Sequence, residues 1–152
     1  FLHGIPHFSI SIGLKSDNEI VAGVIFDPIK NELFFGEKND GAYINNHRIR
    51  VSKKNKLDEC LFSSNNKGID SKNLTTRNLG SAALDMAYVG AGRLDGYFQK
   101  DLHIWDIAAG IIIIKEAGGT VNDLDLSQIE NIKIIASSNT INEKMLEKLT
   151  NF

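Results

Sequence analysis

The fold of this chain is decided between residues 8 and 37, where the sequence reads FSISIGLKSDNEIVAGVIFDPIKNELFFGE. Apolar residues alternate with small or polar ones over 8–14, which is the period-two pattern of a strand with one buried face. A turn at 17–19 leads into a β-branched strand over 20–26, and a third strand is predicted over 32–37. Because connections this short cannot form a parallel crossover, the three strands are predicted to form an antiparallel meander.

The rest of the chain changes its periodicity. Short strands and turns continue as far as residue 63, a polar loop is predicted over 64–68, and helices then alternate with strands. Strands grouped first, followed by such alternation, indicate a layered α+β architecture. The predicted later strands cover 42–44, 48–51, 57–63, 94–98 and 132–136, and the predicted helices cover 82–89, 106–117 and 141–149.

Composition excludes several classes of protein. The chain has 152 residues, 42% of them hydrophobic, which fits one globular domain or part of one. The net charge is −2 and the basic residues are scattered, so direct nucleic-acid binding is not expected. The single cysteine, Cys60, is interpreted as a half-buried strand residue without a redox role, and a cytoplasmic location is expected. No membrane span or signal peptide is predicted, and the opening Phe1 is interpreted as a cut inside a fold.

Two segments carry residues suited to chemistry. The first, residues 95–106, is interpreted as a strand that leads through a loop into a helix, with three carboxylates, His103 and the only tryptophan. By its position alone, Asp106 is more often a carboxylate that complements a helix dipole than a metal ligand. His103 is likewise more often a hydrogen-bonded side chain than a catalytic base.

The second segment is Arg77-Asn78-Leu79-Gly80-Ser81-Ala82-Ala83-Leu84. A Gly-Ser pair at a helix start exposes backbone N–H groups that suit an oxyanion or a sugar hydroxyl. The simpler alternative, a serine N-cap preceded by a glycine, is favoured on position alone.

Several motifs together resemble the inositol monophosphatase family along nearly the whole chain. The segment 77–84 resembles the family's Arg-x-x-Gly-[Ser/Thr]-Ala-Ala-Leu pattern, and Trp105-Asp106-Ile107-Ala108-Ala109-Gly110 with Glu116-Ala117-Gly118-Gly119 resembles its C-terminal signature. The opening residues 1–8 resemble the segment that follows the family's Asp-Pro-Ile-Asp-Gly-Thr-x-Asn motif.

This resemblance implies a layered αβαβα sandwich of the inositol monophosphatase/fructose-1,6-bisphosphatase type. It implies Mg²⁺-dependent, Li⁺-inhibited hydrolysis of inositol-1-phosphate or a related sugar phosphate. Asp106 matches the family's late metal-binding and substrate-contacting Asp, and Gly80, Ser81 and Ala82 match residues that touch ring hydroxyls. Gln99 falls where many members have a Glu that binds the same hydroxyls, and a glutamine adds donors and loses the charge.

The resemblance also implies that residues 1–152 are the C-terminal portion of such a domain, without the N-terminal metal-binding half. No catalytic residue is then expected within the chain, and the chain alone is predicted to be inactive. A homodimer acting on a small phosphate monoester is expected, away from membranes. The alternative is a non-catalytic role in RNA processing or transcription antitermination, in which some bacterial members are implicated.

Overall fold

The computed structural model describes residues 3–65 and 74–149, which form two five-stranded sheets and three α-helices. The predicted α+β class is confirmed. None of the described helices has both the length and the apolar character needed to cross a membrane. The helices are α1 (Ala82–Gly90), α2 (Ile104–Glu116) and α3 (Asn142–Lys148), and the strands are β1 (Ile10–Ser16), β2 (Glu19–Asp27), β3 (Glu32–Glu37), β4 (Gly41–Ile44), β5 (His47–Arg48), β6 (Phe62–Ser63), β7 (Thr76–Arg77), β8 (Gly96–Leu102), β9 (Gly119–Val121) and β10 (Ile132–Ser138).

The two sheets differ in topology. The first is an antiparallel meander in the order β1-β2-β3-β4-β5, which confirms the prediction for its first three strands. The second sheet has the order β7-β6-β8-β10-β9. In it β6 runs parallel to β7 and β8, whereas β10 runs antiparallel to β8 and β9.

Helices α1 and α2 form a layer between the two sheets. A single buried cluster joins Ile25 and Phe34 of the first sheet, Leu84 and Ile113 of these helices, and Tyr97 of the second sheet. A second cluster packs α3 on the other side of the second sheet. The described residues therefore form successive sheet, helix, sheet and helix layers, as the layered fold predicts.

Helix α2 lies directly on the backbone of the first sheet. Gly13, Gly23 and Gly36 are paired across β1, β2 and β3 and form one row beneath the helix. A Cβ atom added to Gly23 would lie 2.7 Å from the Cα and carbonyl oxygen of Ala109, and one added to Gly36 would lie 2.9 Å from the Cα of Ile113. Real Cβ atoms do not approach other atoms so closely, so only glycine permits this spacing.

The glycine row determines which face of β1 is buried, a choice that the alternating pattern leaves open. The small residues of this strand face α2, whereas Ile10, Ile12 and Leu14 are 57%, 62% and 59% exposed. Ile10 pairs with Phe26, which pairs with Leu33, and these residues form part of an apolar outer face. The alternation was identified correctly, but the helix selects the side of the strand that carries no bulky side chain.

Several predicted boundaries were wrong. Leu57–Glu59 is a 3₁₀ turn rather than the start of a strand, and within the predicted strand 57–63 only Phe62–Ser63 pairs in a sheet. Cys60 is buried at the end of this turn, and burial raises the pKa of its thiol to about 11, which fits a cysteine without a redox role. Strand β8 continues through Gln99 to Leu102, because it pairs with β10 across a register shift, so these residues are not in a loop. Strands β7 and β9 were not predicted, and the predicted loop at 64–68 lies mostly outside the described residues.

Substituting Gly23 with alanine should lower the free energy of unfolding by about 1–3 kcal/mol, because the new methyl group overlaps backbone atoms of α2. Gly13→Ala should also destabilise, but its added Cβ meets the Cβ of Ala108 at 2.7 Å. Ala108→Gly should therefore recover part of the loss in Gly13→Ala and none in Gly23→Ala. Urea unfolding of the single and double variants measures how much of the free energy of unfolding Ala108→Gly recovers. Equal recovery in the Gly13→Ala and Gly23→Ala backgrounds would contradict the specific contact between Gly13 and Ala108.

The apolar outer face should make the isolated chain associate with itself, because exposed apolar strands at a sheet edge favour intermolecular contacts. Replacing Ile10 and Ile12 together with threonine keeps the β propensity and should reduce this association in analytical ultracentrifugation. Ile129→Thr is the matched control, since Ile129 is 59% exposed but lies outside the sheets. A wild-type chain that stays monomeric at high concentration would count against this prediction.

Candidate active site

Three separate segments meet around a cleft of about 480 Å³ at the starts of α1 and α2. The segments 80–83 and 105–106 lie on two of its sides, and residues from the start of β1 and just before it form the third. Asp106 and the Gly80-Ser81-Ala82 turn, which come from different sequence motifs, thus line one cavity. The lining residues are His7, Phe8, Ser9, Ser11, Gly80, Ser81, Ala82, Ala83, Trp105 and Asp106.

The first wall is a capped helix terminus. Gly80 has φ +91°, a left-handed conformation that favours glycine, and space is open where a Cβ would lie. Ser81 is the N-cap of α1, and its Oγ accepts a long hydrogen bond of 3.4 Å from the backbone N–H of Leu84. The N-cap interpretation is therefore correct. The first N–H groups of α1 still give this wall a positive electrostatic character toward the cleft.

The second wall is the start of α2. Asp106 Oδ2 accepts a hydrogen bond of 2.9 Å from the backbone N–H of His103, so the carboxylate does cap the helix. His103 Nδ1 lies 3.5 Å from the same oxygen, and its ring stacks on Trp105 with centroids 4.5 Å apart. The cap occupies one carboxylate oxygen, and the Asp106 side chain remains 35% exposed. Helix capping and metal binding are therefore compatible at this residue.

The third wall contains two polar residues that sequence reasoning missed. His7 Nε2 and Ser11 Oγ are buried, and no described residue is hydrogen-bonded to either atom. Burial, together with the charge of Lys30, lowers the pKa of His7, which favours a neutral imidazole able to donate or accept. The sequence signal for Ser11 was that small and polar residues occupy the face of β1 that lies against α2, whereas His7 precedes this strand.

Gln99 lies on β8, outside the residues that line this cleft. The buried Tyr97 hydroxyl donates a hydrogen bond of 2.8 Å to Gln99 Oε1. This contact orients the side-chain amide and leaves its Nε2 protons for another partner. The assignment of Gln99 to a substrate site remains a prediction.

A cleft of about 530 Å³ lies near the opposite end of α2. There the Glu116 carboxylate accepts hydrogen bonds from the backbone N–H groups of Asn39 and Gly41, at 2.9 and 3.0 Å. Glu116 is thus engaged in holding the β3–β4 turn against α2. The chemistry-bearing motifs lie at the other cleft, which is the better candidate site despite its smaller volume.

The chain matches the inositol monophosphatase family over residues 1–151. It belongs to this family. It is 40% identical to the inositol-1-monophosphatase of Mesorhizobium japonicum, over 97% of this chain and 62% of that protein. It is 39% identical to the Nus factor SuhB of Haemophilus influenzae, over 98% of this chain and 62% of that protein. The crystal structure of the extragenic suppressor protein SuhB from Bartonella henselae superposes with a TM-score of 0.91 at 41% identity, covering 99% of this chain and 67% of that one.

The chain therefore spans about 62% of the length of these two curated relatives. Family members are in general metal-dependent phosphatases. Within residues 3–65 and 74–149, however, no three His, Cys, Asp or Glu side chains form a group that could hold a metal ion. Asp106 fits one position in a Mg²⁺ shell, since Mg²⁺ prefers oxygen ligands and usually binds through one or two carboxylates, water and phosphate.

The dual role of Asp106 predicts different effects of two substitutions on stability. Asparagine keeps an oxygen that can accept from the His103 N–H, so Asp106→Asn should cost only the charge–dipole part, about 0.3–1 kcal/mol. Alanine removes the cap as well and should cost about 1 kcal/mol more. Urea unfolding of both variants tests this, and an equal loss in the two would contradict the observed cap.

Proposed function

We propose that this chain contributes one side of the active site of a Mg²⁺-dependent phosphomonoesterase that hydrolyses inositol-1-phosphate or a related sugar phosphate. The observation that carries the proposal is the shared cleft, where the positive N-terminus of α1 faces the Asp106 carboxylate at the start of α2. A site for a phosphate monoester bound with a cation needs both kinds of group. The names of the phosphatase relatives support the same reaction class.

In this proposal the Gly80-Ser81-Ala82 turn positions the substrate. Backbone N–H groups at a helix start and the open space beside Gly80 would suit close approach of a hydroxyl-bearing ring. Asp106 supplies one carboxylate ligand to Mg²⁺ through the oxygen that is not needed for the cap. When bound, Mg²⁺ activates water and neutralises charge on the leaving oxygen.

Gln99 is proposed to modify substrate preference. Its Oε1 is already bound by the Tyr97 hydroxyl, so it would present N–H donors where a glutamate presents only acceptors. A substrate oxygen that can only accept, such as a carbonyl or ether oxygen, would then be bound here where a glutamate would repel it, whereas a hydroxyl could bind to either residue. The proposal further includes inhibition by Li⁺, a homodimeric assembly and a cytoplasmic location.

The 152-residue chain alone should show no turnover of inositol-1-phosphate above background at millimolar Mg²⁺. One described carboxylate cannot hold Mg²⁺ against water, because the ion gives up its hydration shell reluctantly. Phosphate release measured with and without EDTA tests this expectation. Chelator-sensitive turnover that Asp106→Asn abolishes would refute it.

Joining the upstream part of the Mesorhizobium relative to this chain gives a chimera in which the proposed function can be tested directly. Chelator-sensitive hydrolysis of inositol-1-phosphate is expected. Asp106→Asn should then lower kcat by roughly 100-fold or more while the melting temperature stays nearly unchanged, because charge stabilisation is lost and the cap is kept. Asp58→Asn, which removes an exposed carboxylate elsewhere, is the control. Near-normal kcat in Asp106→Asn with a lowered melting point would exclude the metal role.

The name of the Haemophilus relative, a Nus factor, favours a second candidate function. This second function is a non-catalytic role in RNA processing or transcription antitermination. The two functions predict different outcomes for the Asp106→Asn substitution. Complementation of a Haemophilus strain lacking that factor by the Asp106→Asn chimera would support a non-catalytic role. Complementation that requires an intact Asp106 would support the enzyme.

A further inference from the structure

A buried carboxylate lies beneath the first turn of α1, outside the set of residues that line the cleft. Asp85 is 3% exposed, and its Oδ2 lies 2.9 Å from the hydroxyl of the fully buried Ser63. The same Ser63 Oγ lies 3.1 Å from the carbonyl oxygen of Arg77. Asp85 Oδ1 has no hydrogen-bond partner among the described residues.

These distances restrict where the protons lie. A serine hydroxyl carries one proton, yet Ser63 Oγ is within hydrogen-bond distance of two oxygens. An ionised carboxylate and a carbonyl can only accept, so with Asp85 ionised one of the two contacts would lack a proton. Both contacts become hydrogen bonds if Asp85 is protonated. The carboxylic acid then donates to Ser63 Oγ, and Ser63 donates to the Arg77 carbonyl.

This arrangement holds both ends of the turn that lines the cleft. Arg77 ends β7, which pairs with β6 at Ser63, and Asp85 lies in the first turn of α1. The backbone N–H of Asp85 also donates to the carbonyl of Ser81 at 2.9 Å. The segment 78–84, with Gly80 and Ser81 at its centre, is therefore fixed at each end to the same buried serine.

We propose that Asp85 is a positioning residue that, as a neutral acid, donates a hydrogen bond to Ser63 and so holds the Gly80-Ser81 turn in the geometry that binds substrate. The link to substrate rests on the proposed function, whereas the proton arrangement does not. Loss of the Asp85 proton to solvent turns the Ser63 hydroxyl toward the carboxylate. Among the described residues the Arg77 carbonyl then keeps only the hydrogen bond from the Ser64 N–H, and the start of the turn loosens.

The electrostatic surroundings agree with a neutral Asp85. Burial raises the pKa of Asp85 from 3.8 to about 7, and a hydrogen bond donated by Ser63 to the ionised form would offset this rise only in part. Tyr97 on β8 interacts with both Asp85 and Asp106, and burial keeps its phenol neutral by raising its pKa. No described cation contributes to the shift of Asp85. The described Lys and Arg side chains therefore do not stabilise an ionised Asp85.

The sign of the pH effect follows from this raised pKa. Between pH 3.8 and about 7 the folded protein retains a proton that the unfolded chain has released. The free energy of unfolding therefore falls as the pH rises through this window. Above the window Asp85 contributes nothing to its pH dependence. In Asp85→Asn the side-chain amide keeps a donor for Ser63 and does not titrate. The variant should lose this component of the pH dependence, equivalent to about one proton.

Two measurements on the wild-type chain test the hydrogen-bond relay from Asp85 through Ser63 to the Arg77 carbonyl. Neither measurement requires turnover. Infrared difference spectra against Asp85→Asn should show a carboxylic-acid C=O band that disappears near pH 7. Hydrogen exchange of residues 80–84, corrected for intrinsic rates, should be several-fold faster at pH 8.5 than at pH 6 in the wild type and unchanged in Asp85→Asn. Ser63→Ala should exchange fast at both pH values, and the surface variant Asp58→Asn should behave like the wild type.

In the chimera the KM for inositol-1-phosphate should rise about threefold to tenfold between pH 6 and 8.5, with a smaller change in kcat, and Asp85→Asn should remove this rise. A C=O band that titrates near pH 4, or exchange rates that do not follow the titration, would overturn the inference. If the relay behaves as expected and the chimera has no phosphatase activity, the proposed function fails and the positioning of the turn by Asp85 stands. If the chimera is active and its KM does not follow the titration, the role in substrate binding is excluded.

Discussion

The close approach of α2 to the backbone of the first sheet is the contact on which the other layers depend. Gly13, Gly23 and Gly36 form one row across three strands, and α2 occupies the space that their missing side chains leave. Because this helix is also in contact with α1 and the second sheet, its depth on the glycine row sets the spacing of the middle layer. A helix held farther away would separate the two sheets and open the common core.

The same contact determines the geometry of the cleft. Trp105 and Asp106 begin α2 at the end nearest Gly13, so the helix brings them beside the start of β1. Helix α1 is held against α2 by another close contact, since a Cβ at Gly110 would lie 2.6 Å from the Cβ of Met86. The packing of α2 on the first sheet and of α1 on α2 therefore brings the two helix N-termini together. No described group of metal ligands is required to bring them together.

Sequence patterns predicted the parts of the fold that depend on local periodicity. The meander and both central helices followed from the spacing of apolar residues, and Ser81 was identified as an N-cap. The exposed side of β1 could not be predicted in this way, because the choice is made by the helix that packs on it. The extension of β8 past Phe98 depends on pairing with β10, 30 to 35 residues later in the chain. The turn at Leu57–Glu59 is similarly set by its surroundings rather than by its apolar residues.

The candidate site was predictable to a different extent for each residue. Asp106 and the Gly80-Ser81-Ala82 turn were identified from motifs, and the structure places them on one cleft. His7 lies in the opening segment that resembles the family and Ser11 in no motif, but neither was singled out, and their buried polar atoms became apparent only through packing. Asp85 reads in the sequence as an ordinary acidic residue in the first turn of a helix. Only the distances to Ser63 show that its role depends on its proton.

If Asp106 binds a cation as proposed, helix capping explains how its carboxylate can be held in place before the cation binds. A carboxylate kept for a cation is normally costly to hold in place without that cation, since its charge is unpaired. At Asp106 the His103 N–H and the dipole of α2 already stabilise the charge, and partial exposure keeps the carboxylate in contact with water. The opposite arrangement holds at Asp85, where burial and an unpartnered oxygen favour the neutral acid. Two aspartates in the first turns of neighbouring helices thus differ in charge because one N-terminus opens to solvent and the other carries its carboxyl into the core.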